Sequence, residues 1–287
     1  MPESKRNGPI WMNKGKQRGQ MSLSRRRGLL GGILFFPILA GTLLFFALPF
    51  CMVVGFSFGF GGGQARFVGA ENYVKVLSSE SFRLAAGNTV KFLALGVPLL
   101  LVLGLLLALL IHAALPGSRL CSRTILLPLV LPIASIVMVV ERLVPSPVLE
   151  SPGAFWVLLA LYLWKNCGYI TVLLLAGLSL IPEELYDTAA IEGANRRQQL
   201  CYITLPLLAP SLSFSAVLGV MNNFKSYREA FLIDGKYPHE SIYLLQHFLN
   251  NNFENLNYTR LAVASVLTAL PIVLATVCVL IFQRRRS

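Results

Sequence analysis

Leu180 to Pro210 reads LIPEELYDTAAIEGANRRQQLCYITLPLLAP, the longest polar insert between apolar blocks in the second half of the chain. Pro182 suits the first turn of a helix, where its missing N–H is no loss, and Glu183 and Glu184 follow beside the positive end of the helix dipole. Ala189, Ala190 and Ala194 keep part of this helix thin. Gly193 can take the left-handed conformation that ends a helix and turns the chain. A second short helix then leads to Pro206, a first-turn proline for the next apolar span. The stretch therefore predicts a helix-turn-helix knob with a small-residue surface, shaped to sit in a groove of another protein.

The composition around this insert sets the class. Of 287 residues, 55% are hydrophobic and 13% charged, and the mean hydropathy is +0.65, a membrane protein's profile rather than that of a soluble two-domain chain. The net charge of +12 does not point to nucleic acid, because the basic residues gather at the ends of apolar blocks. Six such blocks can be read, at about 29–58, 88–112, 124–144, 154–180, 205–224 and 261–282. Pro128 and Pro132 are expected to kink the third. The first follows a basic segment but is too long for a signal peptide and has no small-residue cleavage site, so it reads as an uncleaved span.

An even number of spans puts both termini on one side, and the arginines and lysines say which. Lys5, Arg6, Lys14, Lys16, Arg18, Arg25 to Arg27, Arg119, Arg123, Arg196, Arg197 and Arg284 to Arg286 fall together, against mainly Arg66, Lys75, Arg83, Lys236 and Arg260 opposite. The positive-inside rule gives cytoplasmic N- and C-termini and a cytoplasmic knob. The layout is thus a basic tail at 1–28, a first span and extracytoplasmic segment at 29–86, a transmembrane core at 87–283 holding the loop 181–206, and a basic end at 284–287.

Chemistry within the chain has few candidates. No G-x-x-x-x-G-K-[ST] phosphate loop is present, and His112, His239 and His247 are isolated in sequence. Cys51, Cys121, Cys167, Cys201 and Cys278 form no C-x-x-C pair. No catalytic residue, metal site or cofactor is expected. Polar residues inside spans are candidates for a solute path instead. Ser211, Ser215, Gly219, Asn222 and Ser226 recur at helical steps and make one small, polar stripe on the fifth span, which reads equally as a packing seam. Lys165 lies near the middle of the fourth block, where an ammonium on a bare helix costs about 2.5–3.5 kcal/mol. It therefore faces a wet cavity beside Asn166, pairs with a carboxylate of a partner chain, or snorkels outward. Trp164 and Gly168, four apart, read as packing residues first and ligand contacts second.

The knob resembles the cytoplasmic loop of binding-protein-dependent ABC importer permeases, whose pattern E-A-A-x3-G-x9-I-x-L-P falls on Asp187, Thr188, Ala189, Gly193, Ile203, Leu205 and Pro206. Asp187 and Thr188 depart from the pattern's Glu and Ala. Phe67-Val68-Gly69-Ala70-Glu71-Asn72-Tyr73 and Asn88-Thr89 are similar to family stretches too, in the manner of the sugar permeases of the maltose-transporter group. The resemblance implies an all-α membrane protein with six transmembrane helices and a coupling helix between spans 4 and 5, which docks on an ATPase through Asp187, Ala189, Ala190, Gly193, Ala194, Ile203, Leu205 and Pro206. It implies a permease subunit of an ATP-driven importer in a bacterial cytoplasmic membrane, working with a second permease, two ATPase subunits and an extracytoplasmic solute-binding protein. The solute path would be lined by Trp164, Lys165, Asn166, Ser215, Gly219 and Asn222. Membrane lipid is a partner and nucleic acid is not. An ion-coupled secondary transporter would account for the spans and Lys165 but needs no docking knob and should show an internal repeat; a structural membrane protein would account for the spans alone.

Overall fold

Prolines decide where the helices of this chain widen, break and restart. A computed structural model describes residues 35–60, 67–113 and 124–284. The basic tail 1–28, the glycines at 61–63, Arg66, the turn at Pro116 to Ser118 with Arg119, Cys121 and Arg123, and Arg285 and Arg286 lie outside the described residues.

The first described helix, α1 (Phe35–Ser57), has 23 residues, long enough at 1.5 Å per residue to cross a bilayer's hydrocarbon core. It is apolar on all sides, with Phe36, Phe45 and Phe46 among its exposed side chains. Its turn Leu43–Ala47 is a π-turn, closed by the Leu48 N–H on the Leu43 carbonyl and ending two residues before Pro49. The widened turn accommodates a proline whose ring would clash with the carbonyl four residues back. The same device recurs at Leu200–Thr204, two residues before Pro206. Gly59, at φ +96, takes the chain out of α1.

The remainder of the described chain is a second unit, and every described element in it is helical. Short α2 (Glu71–Leu77) precedes α3 (Glu80–His112), whose 33 residues make it about 50 Å long. The third apolar block divides into α4 (Leu127–Val130) and α5 (Ile133–Leu143), with Leu131 and Pro132 extended between them. The residue before a proline is pushed out of the helical region, so the expected kink is a break. After α6 (Ser146–Leu149) come α7 (Ala154–Leu178), α8 (Glu183–Ile191) and α9 (Arg196–Gln199), then α10 (Leu205–Lys225), α11 (Tyr227–Asp234), α12 (Leu245–Glu254) and α13 (Tyr258–Arg284). Helix runs almost unbroken from Arg196 to Asp234. Four helical stretches, Phe35–Ser57, Glu80–His112, Ala154–Leu178 and Arg196–Asp234, are long and apolar enough to cross a membrane among the described residues, and α13 spans 27 residues in addition.

The core lies where α3, α7 and α10 meet. Phe92, Leu100 and Ala108 of α3 pack on Phe155, Leu158, Tyr162, Ile170 and Leu174 of α7, with Leu208 of α10 closing one end. Small residues set the spacing, as expected in lipid, where helices associate by close packing. A Cβ on Gly104 would stand 2.7 Å from Ile170, and one on Gly168 only 1.8 Å from the Ile125 carbonyl. A second cluster caps the N-terminal end of α3: Phe82 and Ala85 pack with Val76, Tyr243, Phe248 and Val263. There Asn88 donates to the carbonyls of Glu240 and Tyr243, and Thr89 accepts from the Leu245 N–H at 2.9 Å.

Candidate functional site

Helix α8 begins at Pro182, which stands at the N-cap with extended backbone rather than inside the first turn. Glu183 and Glu184 occupy that turn, beside the positive end of the helix. The helix ends in a complete Schellman motif. Gly193 sits at φ +88, its N–H bonds the Ala190 carbonyl at 3.1 Å, and the Ala194 N–H bonds the Ala189 carbonyl at 2.8 Å. Asn195 then starts α9 through a capping box, accepting from the Gln198 N–H while its own N–H bonds the Gln198 side chain.

Two contacts tie the halves of this knob together. The Tyr186 and Thr204 hydroxyls are 3.0 Å apart, and Gln199, itself buried, reaches toward the carbonyls of Tyr186 and Ala194. Asp187, Ala190, Gly193 and Pro206 are exposed, while Ala189, Ala194, Ile203 and Leu205 are half-buried. The knob also presents apolar side chains that its own chain does not cover: Ile191 is 88% and Tyr202 80% exposed. A cavity of about 430 Å³ lies behind it, lined by His112, Leu178, Glu183, Asp187, Arg196 and Thr204 among others. The knob is thus a backbone-capped element that exposes Ile191 and Tyr202 among polar and charged side chains, at the C-terminal end of α3.

The six proposed path residues divide into two groups. Asn166 is buried and donates to the Tyr162 carbonyl at 2.8 Å, Ser215 is fully buried, and the Gly219 carbonyl accepts from the Tyr162 hydroxyl at 2.8 Å. Ser215 and Gly219 lie on the stripe of α10 that meets α7, whereas the Asn166 bond stays within its own helix. Ser211, on the same stripe, packs against Gly177, where a Cβ would meet its hydroxyl at 2.5 Å. Trp164, Lys165 and Asn222 keep accessible surface, and Asn222 accepts from Lys225 at 3.2 Å.

Lys165 has a partner that the sequence did not reveal. Its ammonium lies 2.6 Å from Oε1 of Glu229 on α11, within the same chain rather than on a partner subunit. The Glu229 carboxylate is buried, and its Oε2 has no hydrogen-bond partner among the described residues. Other polar residues also escaped the sequence reading. Asn223 is buried and donates to the Phe92 carbonyl at 3.3 Å, and Lys91 stacks over the Phe155 ring at 4.5 Å. Lys165, a base stranded in an apolar block, was the available signal for the ion pair, since such a charge demands a partner.

At the opposite end of α3, His247 is buried against Tyr227 and Tyr243, with ring centroids 4.6 and 5.5 Å away. Its Nδ1 accepts from the Leu244 N–H, which fixes the neutral tautomer as Nε2–H. Burial pulls its pKa down to about 4. Nearby, the Lys236 ammonium is 2.6 Å from Glu254, whose carboxyl this hydrogen bond holds below its usual range.

The family profile described as "Binding-protein-dependent transport system inner membrane component" matches residues 92–287. The trehalose/maltose transport system permease protein MalF of Thermococcus litoralis is 29% identical over 237 residues, which cover 75% of this chain and 80% of that protein. The sulfoquinovosyl glycerol transport system permease protein SmoG of Agrobacterium fabrum is 27% identical over 245 residues, 78% of this chain and 79% of its own length. Among solved structures, a chain of a bacterial ABC transporter involved in import of the acidic polysaccharide alginate superposes with a TM-score of 0.75 at 20% identity, covering 93% of this chain and 99% of that one. A chain of the bacterial alginate transporter in complex with an alginate pentasaccharide-bound periplasmic protein gives 0.74, with 91% and 96% covered.

Proposed function

Since this chain belongs to the family of inner membrane components of binding-protein-dependent transport systems, we propose that it forms one wall of the translocation path of an ATP-driven importer for a sugar or oligosaccharide. Its N- and C-termini are cytoplasmic, six spans cross the membrane, and the knob at 181–206 docks on one of two separate ATPase subunits. A second, related permease completes the path, and an extracytoplasmic solute-binding protein delivers the solute.

The knob carries this reading. Ile191 and Tyr202 stand exposed on an element whose fold is closed by its own caps, so the surface is free to be covered by another protein. The exposed Asp187 and Pro206 and the half-buried Ala189, Ala194, Ile203 and Leu205 supply the rest of the docking face. The knob leads directly into the helical stretch Arg196–Asp234. Motion imposed on it is therefore passed along α10 and α11 toward the Lys165–Glu229 pair, where Lys165, Trp164 and Asn222 face the path. Closure of the ATPases on ATP moves the knobs together and opens the path outward; hydrolysis resets it inward.

The sugar assignment draws on the relatives, whose names specify trehalose, maltose and sulfoquinovosyl glycerol. Proteoliposomes holding the complete transporter, loaded with ATP and given binding protein outside, should accumulate labelled oligosaccharide. Uptake without ATP, driven by an ion gradient, would favour a secondary transporter instead.

A further inference from the structure

The corner between α12 and α13 holds a basic basin at the point where two long helices begin. It measures about 500 Å³ and is lined by Lys75, Ser78, Ser79, Asn257, Thr259 and Arg260 among others. Each of these lies at a helix end. Lys75 is in the last turn of α2, Ser79 is the N-cap of α3, and Thr259 and Arg260 are in the first turn of α13. Further along the same helices, Phe82 and Ala85 of α3 pack with Val263 and Ala264 of α13, so the two start side by side. The corner thus belongs to the cap on the N-terminal end of α3, and the length of that helix, about 50 Å, separates it from the knob.

The lining has the chemistry of an anion site. Two cations meet three hydroxyls and an amide, and no carboxylate lines the basin among the described residues. Glu71 holds Lys75 at 2.6 Å, but both side chains of that pair are exposed, so the lysine is released at little cost. Among the described residues no carboxylate forms an ion pair with Arg260. A guanidinium with hydroxyl donors around it matches the oxygens of a phosphate. The rim, by contrast, is apolar. Val74 and Leu77, which flank the lining residues of α2, are exposed, and so are Leu256 and Tyr258 on either side of Asn257. A free phosphate ion gains nothing from such a rim, whereas a phosphate carried on a lipid brings acyl chains that cover it.

We infer that this basin holds the phosphate of an anionic phospholipid, with Arg260 and Lys75 on its oxygens and the rim against its acyl chains. An anionic headgroup fits better than a zwitterionic one, because the lining offers no carboxylate to receive a choline or ethanolamine cation. The inference rests on α3 and α13 crossing the membrane, which puts their first turns at the level of the headgroups. It needs neither ATP-driven import nor a particular orientation. The bound lipid bridges α2, α3 and α13, and so steadies this end of the bundle.

The test uses the complete transporter purified in detergent and titrated with phosphatidylglycerol or phosphatidylcholine, the bound lipids being counted by native mass spectrometry. The unmodified complex should hold one phosphatidylglycerol at least tenfold more tightly than phosphatidylcholine. Arg260→Gln and Lys75→Gln should each weaken that site about tenfold, while Lys236→Gln, which removes a charge at the same end outside the basin, should leave it intact. Arg260 and Lys75 are both exposed, so melting temperatures without lipid should match the unmodified complex, and the rise on adding phosphatidylglycerol should vanish in these two variants. Unchanged lipid retention in Arg260→Gln would overturn the inference. An equal loss in Lys236→Gln would overturn it too, by reducing the effect to net charge, and so would displacement of the lipid by millimolar inorganic phosphate, which would make the basin a free-anion site. Failure of the uptake assay above removes the importer reading and leaves this site standing.

Discussion

The Lys165 ammonium lies 2.6 Å from the Glu229 carboxylate, 64 residues away, and joins α7 to α11 in a stretch where neither charge could stand alone. The lysine side chain retains 26% of its surface and the glutamate 5%, so the carboxylate depends on the pair more than the ammonium does. Lys165→Met should therefore destabilise the purified protein by about 3 kcal/mol, because it leaves a buried carboxylate unpaired. Lys165→Met combined with Glu229→Leu should recover most of that loss. A thermal melt in detergent checks both, and an undiminished melting temperature in the single variant would show that the pair contributes nothing.

That pair is also less legible in the sequence than the knob. Lys165 signals that it needs a partner, but the apolar pattern of the fifth block ends at Phe224, which leaves Glu229 in a polar segment. Helix instead runs past Ser226 to Asp234 and folds the acid back onto α7. The knob was more legible because its signals are local: Gly193 and Pro182 act within one turn of chain. Pro206 was placed correctly at the start of α10, yet the π-turn before it was not foreseen, since widening depends on backbone geometry rather than residue type. The stripe of Ser215 and Gly219 was legible as a stripe only. That it packs in the seam became clear from the Tyr162 hydroxyl on the Gly219 carbonyl, a contact across 57 residues.

Acid should loosen the end of the bundle opposite the knob. His247 is buried neutral with its pKa depressed to about 4, while the unfolded chain binds its proton near 6.5. The unfolded state therefore holds more protons between those values, and stability falls as pH drops through the window, by about 3 kcal/mol at its lower limit. Above pH 7 the term is constant. His247→Gln keeps an acceptor for the Leu244 N–H and should flatten this part of the curve, measured as melting temperature from pH 7 to pH 4.5.

Two glycines in long helices should respond with opposite signs. Gly168→Ala places a methyl 1.8 Å from the Ile125 carbonyl, so backbone must move, at a cost of about 3 kcal/mol or more. Gly87→Ala meets nothing within 4 Å on the exposed side of α3 and should stabilise by about 1 kcal/mol through helix propensity. Melts of the two variants against the unmodified protein decide it, and equal shifts would contradict the packing described for α7.

Membrane orientation follows from the same axis that separates the knob from the α12–α13 corner. A cysteine at Gln198 should react with an impermeant maleimide only after the membrane is opened, and one at Asn255 should react in intact cells. The reverse pattern would invert the topology and remove the knob from the cytoplasm.

The coupling role of the knob is tested most directly at Gly193, whose φ of +88 is closed to side chains at a cost of about 1 kcal/mol and more for a β-branched one. Space around it is open, with nothing within 4 Å of an added Cβ, so Gly193→Val should disturb the turn and not the bundle. Asp187→Glu restores the pattern's residue and serves as the tolerated control, while Asp187→Lys reverses the charge on the docking face. The measurement is recovery of the ATPase subunit with tagged permease from one membrane preparation, alongside solute uptake. The account predicts normal insertion of all variants, full recovery and uptake with Asp187→Glu, and loss of both with Gly193→Val and Asp187→Lys; wild-type recovery and uptake in Gly193→Val would contradict it.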